Sequence, residues 1–189
     1  MESDASPEKG TVSYLAGEMC VETSKEQLYS HNRLKNEFAR VLEGLARKKR
    51  MGEYFGDGVL LSNIEADLSS KPDGIFVLAE CFRDGAVELI EGAQEGYVEL
   101  VGAPSMVLEV VSTSSVRKDC ESLRELYWKA GIAEYWLVDA RGDQLQFDIL
   151  RRTSRGYSVT RKSVGWIKST VFEQSFRLIR KTNEWGHPQ

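Results

Sequence analysis

The stretch Met106-Val107-Leu108-Glu109-Val110-Val111 is the segment from which the fold and a candidate site can both be inferred. A short run of mostly branched apolar residues is typical of a strand buried on both faces. A carboxylate inside such a strand is costly unless it is paired, hydrogen-bonded or bound to a metal. Glu109 is therefore the first candidate for a functional residue.

A second acid has a similar setting earlier in the chain. Asp73 lies in Lys71-Pro72-Asp73-Gly74, at the entry to the apolar run Ile75-Phe76-Val77-Leu78. If the two strands lie side by side, the two carboxylates predict a divalent-cation site. Two plainer interpretations stay open: Asp73 is a turn residue after proline, and Glu109 pairs with a buried Arg or Lys for structural reasons.

Composition limits the class of protein. A chain of 189 residues with 41% hydrophobic and 29% charged residues is typical of one soluble globular domain. The net charge of −4 provides no general attraction for nucleic acid, so any DNA contact needs a local basic patch. The three cysteines are far apart and odd in number, which favours a reducing, cytoplasmic location. The start resembles no signal peptide, and no apolar stretch is long enough to span a membrane.

Hydrophobic periodicity predicts the order of the elements. An apolar stripe with helical spacing predicts a helix from about Lys25 to Arg50, and a second helix is expected near Asp119 to Ala130. Apolar or alternating runs predict strands over 59–61, 74–78, 106–111, 134–138, 144–151, 157–159 and 171–179. This order predicts a mixed α/β (α+β) domain with one central sheet over residues 13–182. Residues 1–12 are expected to be a disordered lead-in, 79–96 an irregular surface excursion with a short helix, and 183–189 a flexible tail.

Four segments together resemble a known family. They are Pro72-Asp73, Leu108-Glu109-Val110-Val111-Ser112, the pair Asp119 and Tyr127, and Gly131-Ile132-Ala133-Glu134-Tyr135-Trp136-Leu137-Val138-Asp139. They are similar to the Uma-two family, a restriction-endonuclease-like branch of the PD-(D/E)xK nuclease superfamily. The resemblance runs from Gly17 to about Ile179. It implies a restriction-endonuclease-like mixed central sheet flanked by helices, DNA as the partner and a homodimer.

The resemblance also implies a metal site. Asp73 and Glu109 would hold Mg²⁺, with Mn²⁺ as the other ion such a site accepts, and the Val110 carbonyl would be a third ligand. Phosphodiester hydrolysis places negative charge on oxygens that a hard cation neutralises, and the cation lowers the pKa of a bound water. Mg²⁺ keeps several waters, so one or two carboxylates are enough to bind it.

The lysine that usually completes such sites is missing from its expected positions. The superfamily pattern places it at Val111, and relatives carry it at the position of Leu123, yet both residues are apolar. Lys118 is the predicted substitute if Asp119 caps the next helix and leaves Lys118 in the preceding loop. If the helix instead starts near Val116, Lys118 is expected to point away from the sheet.

The other candidates carry weaker signals. Glu37, at the edge of the first helix's apolar stripe, is predicted to assist catalysis, because nucleases of this superfamily often use an acid from that helix. Its alternative is a solvated surface residue. His31 is interpreted as a core histidine with a satisfied hydrogen bond. Glu65 and Asp67 could approach a metal, although solvation in a loop is the alternative for both.

Two functions from different classes follow. The first is an enzyme, a Mg²⁺-dependent endonuclease of DNA that uses Asp73, Glu109, Lys118 and Glu37. The second is a nuclease-fold protein without catalysis that binds DNA or a protein partner. The densest basic stretch runs from Arg151 to Lys162. It is interpreted as a surface that faces a phosphate backbone, and a merely solvated hairpin is the alternative.

Overall fold

The described residues contain one long helix and several short helical segments. The structure, a computed structural model, describes residues 11–22, 25–94 and 96–188. Its helical segments are a π-helical turn over Leu28–Asn32, α1 over Arg33–Lys49, α2 over Ala79–Arg83, a second π-helical turn over Lys118–Ser122 and α3 over Leu123–Lys129. Within these ranges, no helix is both long and apolar enough to cross a membrane.

Fifteen strands make up most of the rest of the described chain. They are β1 Thr11–Leu15, β2 Glu18–Glu22, β3 Gly52–Gly56, β4 Leu60–Asn63, β5 Leu68–Ser70, β6 Gly74–Leu78, β7 Val87–Glu91, β8 Tyr97–Gly102, β9 Met106–Val110, β10 Glu134–Asp139, β11 Gln146–Thr153, β12 Gly156–Val159, β13 Lys162–Ser163, β14 Trp166–Ser169 and β15 Gln174–Phe176. They form three sheets, with the orders β2-β1-β5-β4-β8-β7, β12-β11-β10-β9-β6-β3 and β13-β14-β15.

The central sheet is the one that contains β9. It is mixed, because β9 and β10 run parallel while its other neighbouring strands run antiparallel. All five residues of β9 are buried, as its apolar run predicts for a strand covered on both faces. Phe38 and Leu42 of α1 pack against Trp136 on one face, and α3 packs on the other. The predicted mixed central sheet flanked by helices is confirmed.

Beside the central sheet there are two further sheets that were not predicted. The segment 79–96 contains the expected short helix, α2, but also β7, which joins a second six-stranded sheet. Its core residues Leu61, Leu68 and Leu100 pack in the cluster that also contains α3. These strands were difficult to predict because several are only three to five residues long and partly exposed.

The ends of the chain are described only in part. Strand β1 begins at Thr11, inside the segment predicted as a lead-in, while residues 1–10 lie outside the described residues. Of the predicted tail, residues 183–188 include a turn in which the Asn183 N–H donates to the His187 carbonyl over 2.9 Å. His187 stacks on Tyr29 with ring centroids 5.2 Å apart.

A glycine fixes the end of α3. Gly131 has φ +88°, a left-handed conformation that favours glycine. Its N–H donates to the Trp128 carbonyl, and the Ile132 N–H donates to the Tyr127 carbonyl, which together form a Schellman cap. The cap holds the last turn of α3, and with it Tyr127, at a fixed height above the central sheet.

A buried glutamate ties the three-stranded sheet to the central one. Glu134 is fully buried and accepts five hydrogen bonds. The donors are the Trp136 indole N–H, the hydroxyls of Ser169 and Thr170, and the backbone N–H groups of Thr170 and Val171. A buried carboxylate satisfied in this way is a structural anchor.

Candidate metal and catalytic site

The two acids singled out in the sequence lie on neighbouring strands. Strands β6 and β9 are antiparallel, with Gly74 opposite Leu108. One further step in that register places Asp73 opposite Glu109. Their residues are 9% and 4% exposed, so both carboxylates are withdrawn from water within one strand spacing of each other.

Both oxygens of Asp73 are near positively polarised groups. Oδ2 accepts a hydrogen bond from the Val110 N–H over 2.7 Å and lies 3.8 Å from His31 Nε2. Oδ1 lies 3.5 Å from Lys35 Nζ. Burial raises the pKa of the Asp73 carboxyl, and these three neighbours only partly offset that effect. Asp73 is therefore held in a fixed orientation at a cost in desolvation.

Next to Asp73, a glycine allows a close approach. A Cβ atom on Gly74 would lie 2.2 Å from the Tyr54 hydroxyl, so a side chain there would displace the tyrosine. The Tyr54 hydroxyl is buried without a hydrogen-bond partner. The absence of a side chain at Gly74 therefore makes room for the Tyr54 hydroxyl against β6.

A tyrosine orients Glu109. The Tyr127 hydroxyl donates to Glu109 Oε1 over 2.6 Å and lies 3.2 Å from the Ser70 hydroxyl. Burial raises the pKa of Glu109 well above its ordinary value, and the nearby charges of Asp119 and Asp73 raise it further. Tyr127 belongs to the pattern quoted in the sequence, but its contact with Glu109 was not predicted.

Asp119 is a third buried acid of the site. From the sequence it was considered as part of the family pattern and as a helix cap, but not as a ligand. It is 1% exposed, and burial is the largest cause that raises its pKa to about 7. The Ser115 hydroxyl donates to its Oδ2. Its Oδ1 is buried without a hydrogen-bond partner, which leaves one carboxylate oxygen available to a cation.

The Lys118 side chain lies beside these acids, but not for the structural reason that the sequence suggested. Helical structure already begins at Val116, so Asp119 is not the cap. The expectation that Lys118 would then point away was nevertheless wrong. Its side chain is 16% exposed, forms an ion pair with Glu22 of β2 and lies 3.7 Å from Asp119 Oδ1. The wider π-helical turn over Lys118–Ser122 changes which residues share a helix face, so an argument from ordinary helical spacing fails.

Lys35 is a second cation at the site, and sequence reasoning missed it. Its Nζ donates to Glu26 Oε1 over 2.7 Å and to Asp57 Oδ2 over 2.8 Å, in addition to its 3.5 Å approach to Asp73. Burial lowers its pKa, but the hydrogen bonds to Asp57 and Glu26 and the charges of Asp73 and Asp57 outweigh that effect and raise it. A signal was present, because Lys35 is one turn after His31 and three residues before Phe38, on the apolar stripe.

The remaining predicted residues lie elsewhere. Glu37 is exposed and forms two hydrogen bonds with Arg40 at 2.9 and 2.6 Å, so its contacts do not join it to Asp73 or Glu109. Glu65 and Asp67 are exposed in the turn between β4 and β5.

The balance of charge favours a divalent cation. Acidic groups outnumber the ammonium groups of Lys35 and Lys118 by six to two. The acids are Glu22, Glu26, Asp57, Asp73, Glu109 and Asp119. Hard carboxylate oxygens are the ligands that Mg²⁺ prefers. Within the described residues, no three His, Cys, Asp or Glu side chains are arranged to hold an ion by themselves. An ion held here would therefore have to keep several of its waters, as Mg²⁺ does.

A mixed sheet between helices, with acids on adjacent strands, defines the class: the fold is that of the restriction-endonuclease-like nucleases. The chain belongs to the Uma2 family, described as "Putative restriction endonuclease", whose sequence model matches residues 2–178. The fold is similar to a crystal structure from Anabaena variabilis ATCC 29413, described as "a putative nuclease belonging to DUF820". That likeness has a TM-score of 0.63 at 15% identity, over 86% of this chain and 83% of the other. No curated protein matches the chain.

Proposed function

We propose that this protein is a Mg²⁺-dependent endonuclease that hydrolyses phosphodiester bonds in DNA. The observation that carries the proposal is the facing pair Asp73 and Glu109, two buried acids with raised pKa values and too little positive charge around them. The family and the fold support a nuclease acting on nucleic acid. The metal and the choice of DNA are the further steps of the proposal.

The residues around the pair have separate tasks in this proposal. Asp73 and Glu109 would hold the ion, with the Val110 carbonyl as a third ligand and Asp119 Oδ1 available beside them. When bound, the ion neutralises charge on the phosphate and lowers the pKa of a coordinated water. The Val110 N–H and the Tyr127 hydroxyl orient the two carboxylates. Glu37 has no task here, because its carboxylate is exposed and paired with Arg40.

The proposal is tested by a cleavage assay on double- and single-stranded DNA with Mg²⁺, Mn²⁺ or a chelator. We expect cleavage that requires the ion and that falls by at least about 10³-fold in Glu109→Ala, since metal charge stabilisation contributes several kcal/mol. Activity in the presence of the chelator, or full activity of Glu109→Ala, would contradict the proposal. A circular substrate separates endonuclease from exonuclease cleavage.

Lys118 is expected to stabilise charge that develops on the phosphate. Lys118→Met should lower the cleavage rate by about 10²-fold, the usual effect of removing one preorganised electrostatic group. Arg117→Met is the matched control, because Arg117 is the adjacent residue and its side chain is 91% exposed. Both rates would be measured at saturating Mg²⁺. Equal rates for the two variants would remove Lys118 from the proposed machinery.

One observation favours a second candidate function, a nuclease-fold protein that binds DNA or a protein without cleaving. Leu123, at the position where relatives carry a lysine, is fully buried in the core. This candidate predicts no cleavage with any metal and DNA binding that is unchanged in Asp73→Asn. The first candidate predicts cleavage that depends on Asp73.

The homodimeric state and the cytoplasmic location stay predictions. The structure adds no support for the dimer from the aromatic residues of the C-terminal half. Tyr127, Tyr135 and Trp136 are fully buried within one chain, so their side chains are part of the core.

A further inference from the structure

Lys35 places a positive charge among three carboxylates from three separate segments. Its residue is only 5% exposed, although lysine side chains usually extend their charged ends into water. Glu26 precedes the first π-helical turn, Asp57 follows β3, and Asp73 precedes β6. Their oxygens lie 2.7, 2.8 and 3.5 Å from the Lys35 Nζ. Hard oxygens from different segments thus converge on one small cation. They are spaced around an ammonium group, and within the described residues they are not arranged to hold a metal ion while Lys35 is in place.

The register of the central sheet shows why this place is next to the proposed metal. Strands β3 and β6 are antiparallel with Gly56 opposite Gly74, so one further step places Asp57 opposite Asp73. Asp73 in turn faces Glu109 across the next strand pair. The three acids therefore form a row across β3, β6 and β9. Asp73, in the middle, borders both the space toward Asp57 and the space toward Glu109. Hydrolases that use two metal ions hold them about 3.5–4 Å apart.

A histidine adds a further donor atom to the Lys35 cluster. His31 is 8% exposed, and its Nδ1 is buried without a hydrogen-bond partner, 3.5 Å from Glu26 Oε2. Its Nε2 lies 3.8 Å from Asp73 Oδ2. Around Lys35 there are therefore three carboxylates and one imidazole, all of which are groups that ligate divalent ions.

We propose that the Lys35 ammonium occupies the position of a second cation beside Asp73, so that the protein holds one divalent ion where the row of acids could hold two. The inference rests on the proposed function for the ion between Asp73 and Glu109. The ammonium is covalently attached, so its charge is present at any concentration of metal. The rate of cleavage should therefore rise with metal concentration as expected for one bound ion per protein.

The competing interpretation is an ion pair that only connects α1 to the turn after β3. That interpretation also predicts a loss of stability when Lys35 is removed, so stability alone does not separate the two. The number of bound ions does separate them. A purely structural ion pair leaves that number unchanged, whereas a filled cation position becomes available once the ammonium is gone.

The experiment counts Mn²⁺ ions bound to the folded protein by electron paramagnetic resonance and by calorimetry. The wild type is expected to bind one ion and Lys35→Ala two, because alanine removes the ammonium and leaves space between the acids. Lys35→Met is the matched control, since its side chain is neutral but fills much of the same space, and it should bind one. Two bound ions close together also broaden the Mn²⁺ resonance, which gives a second readout that is independent of cleavage.

If Lys35→Ala folds poorly without metal, ion binding can be measured instead from its effect on thermal unfolding. Mn²⁺ should then raise its unfolding midpoint by more than it raises that of the wild type, because ions that bind only the folded state stabilise it. One ion bound to Lys35→Ala with wild-type affinity would overturn the inference and leave the proposed function intact. No ion bound to the wild type but one bound to Lys35→Ala would overturn the proposed metal and support the assignment of Lys35. No ion bound to either would overturn both.

Discussion

Replacing Asp73 by asparagine is expected to lower the rate of DNA cleavage by at least about 10³-fold and to weaken Mn²⁺ binding, since the metal's charge stabilisation is worth several kcal/mol. Asparagine keeps the shape of the side chain and an oxygen that can accept the Val110 N–H, which now donates to Asp73 over 2.7 Å. The substitution therefore removes the negative charge with little change in the surrounding hydrogen bonds. Alanine would also leave the Val110 N–H unpaired, and the two effects would be mixed.

The control for this experiment is Asp67→Asn. Asp67 is exposed in the turn between β4 and β5 with φ +52°, a conformation that asparagine tolerates well. Its cleavage rate and Mn²⁺ affinity should equal those of the wild type. Single-turnover cleavage and calorimetric Mn²⁺ titrations measure the two quantities separately. An Asp73→Asn protein that still cleaves at the wild-type rate would show that the facing pair is not the catalytic site.

The second large effect is expected far from the metal. Glu134→Ala should lower the free energy of unfolding by about 3–5 kcal/mol, because an unpaired buried donor costs about 1–3 kcal/mol and several are left behind. The Trp136 indole N–H, the Ser169 hydroxyl and the Thr170 N–H would all lose their acceptor. Urea unfolding followed by circular dichroism measures the change.

The matched control is Glu121→Ala. Its carboxylate is 74% exposed and lies 3.8 Å from Arg117, so its removal should change stability by no more than about 0.5 kcal/mol. The folded fraction of Glu134→Ala should bind Mn²⁺ like the wild type, because Glu134 alternates with Tyr135 and contacts the face of the sheet away from α3. A loss of less than about 1 kcal/mol would mean that water replaces the carboxylate as acceptor.

Two acids of the site, Asp73 and Glu109, could be selected from the sequence because each has a local signature. Glu109 interrupts an apolar run, and Asp73 precedes another, so no long-range information was needed to select them. The cationic half could not be predicted in the same way. Lys35 gave only the signal of a charged residue on an apolar stripe, and its meaning depends on Glu26, Asp57 and Asp73 coming together in the folded chain.

The second sheet and the direction of the Lys118 side chain were not predicted, for other physical reasons. A π-helical turn is not visible in a search for the ordinary helical period, so the direction of Lys118 was predicted wrongly. Strand β2, with the sequence Glu-Met-Cys-Val-Glu, is an edge strand with no fully buried residue, so burial leaves little pattern in its sequence. Glu22 lies in this strand, and its contact with Lys118 could be found only in three dimensions.

The ion pair between Glu22 and Lys118 joins residues 96 positions apart in the chain. Contacts of such long range form late during folding, because the entropy of closing a large loop must be overcome before the contact contributes anything. The Lys35–Asp57 contact spans only 22 positions and can form much earlier. We therefore expect the contacts beside Asp73 to form first, and the Glu22–Lys118 pair to complete the charges beside Asp119 only after the β1–β2 hairpin has packed against the rest of the chain.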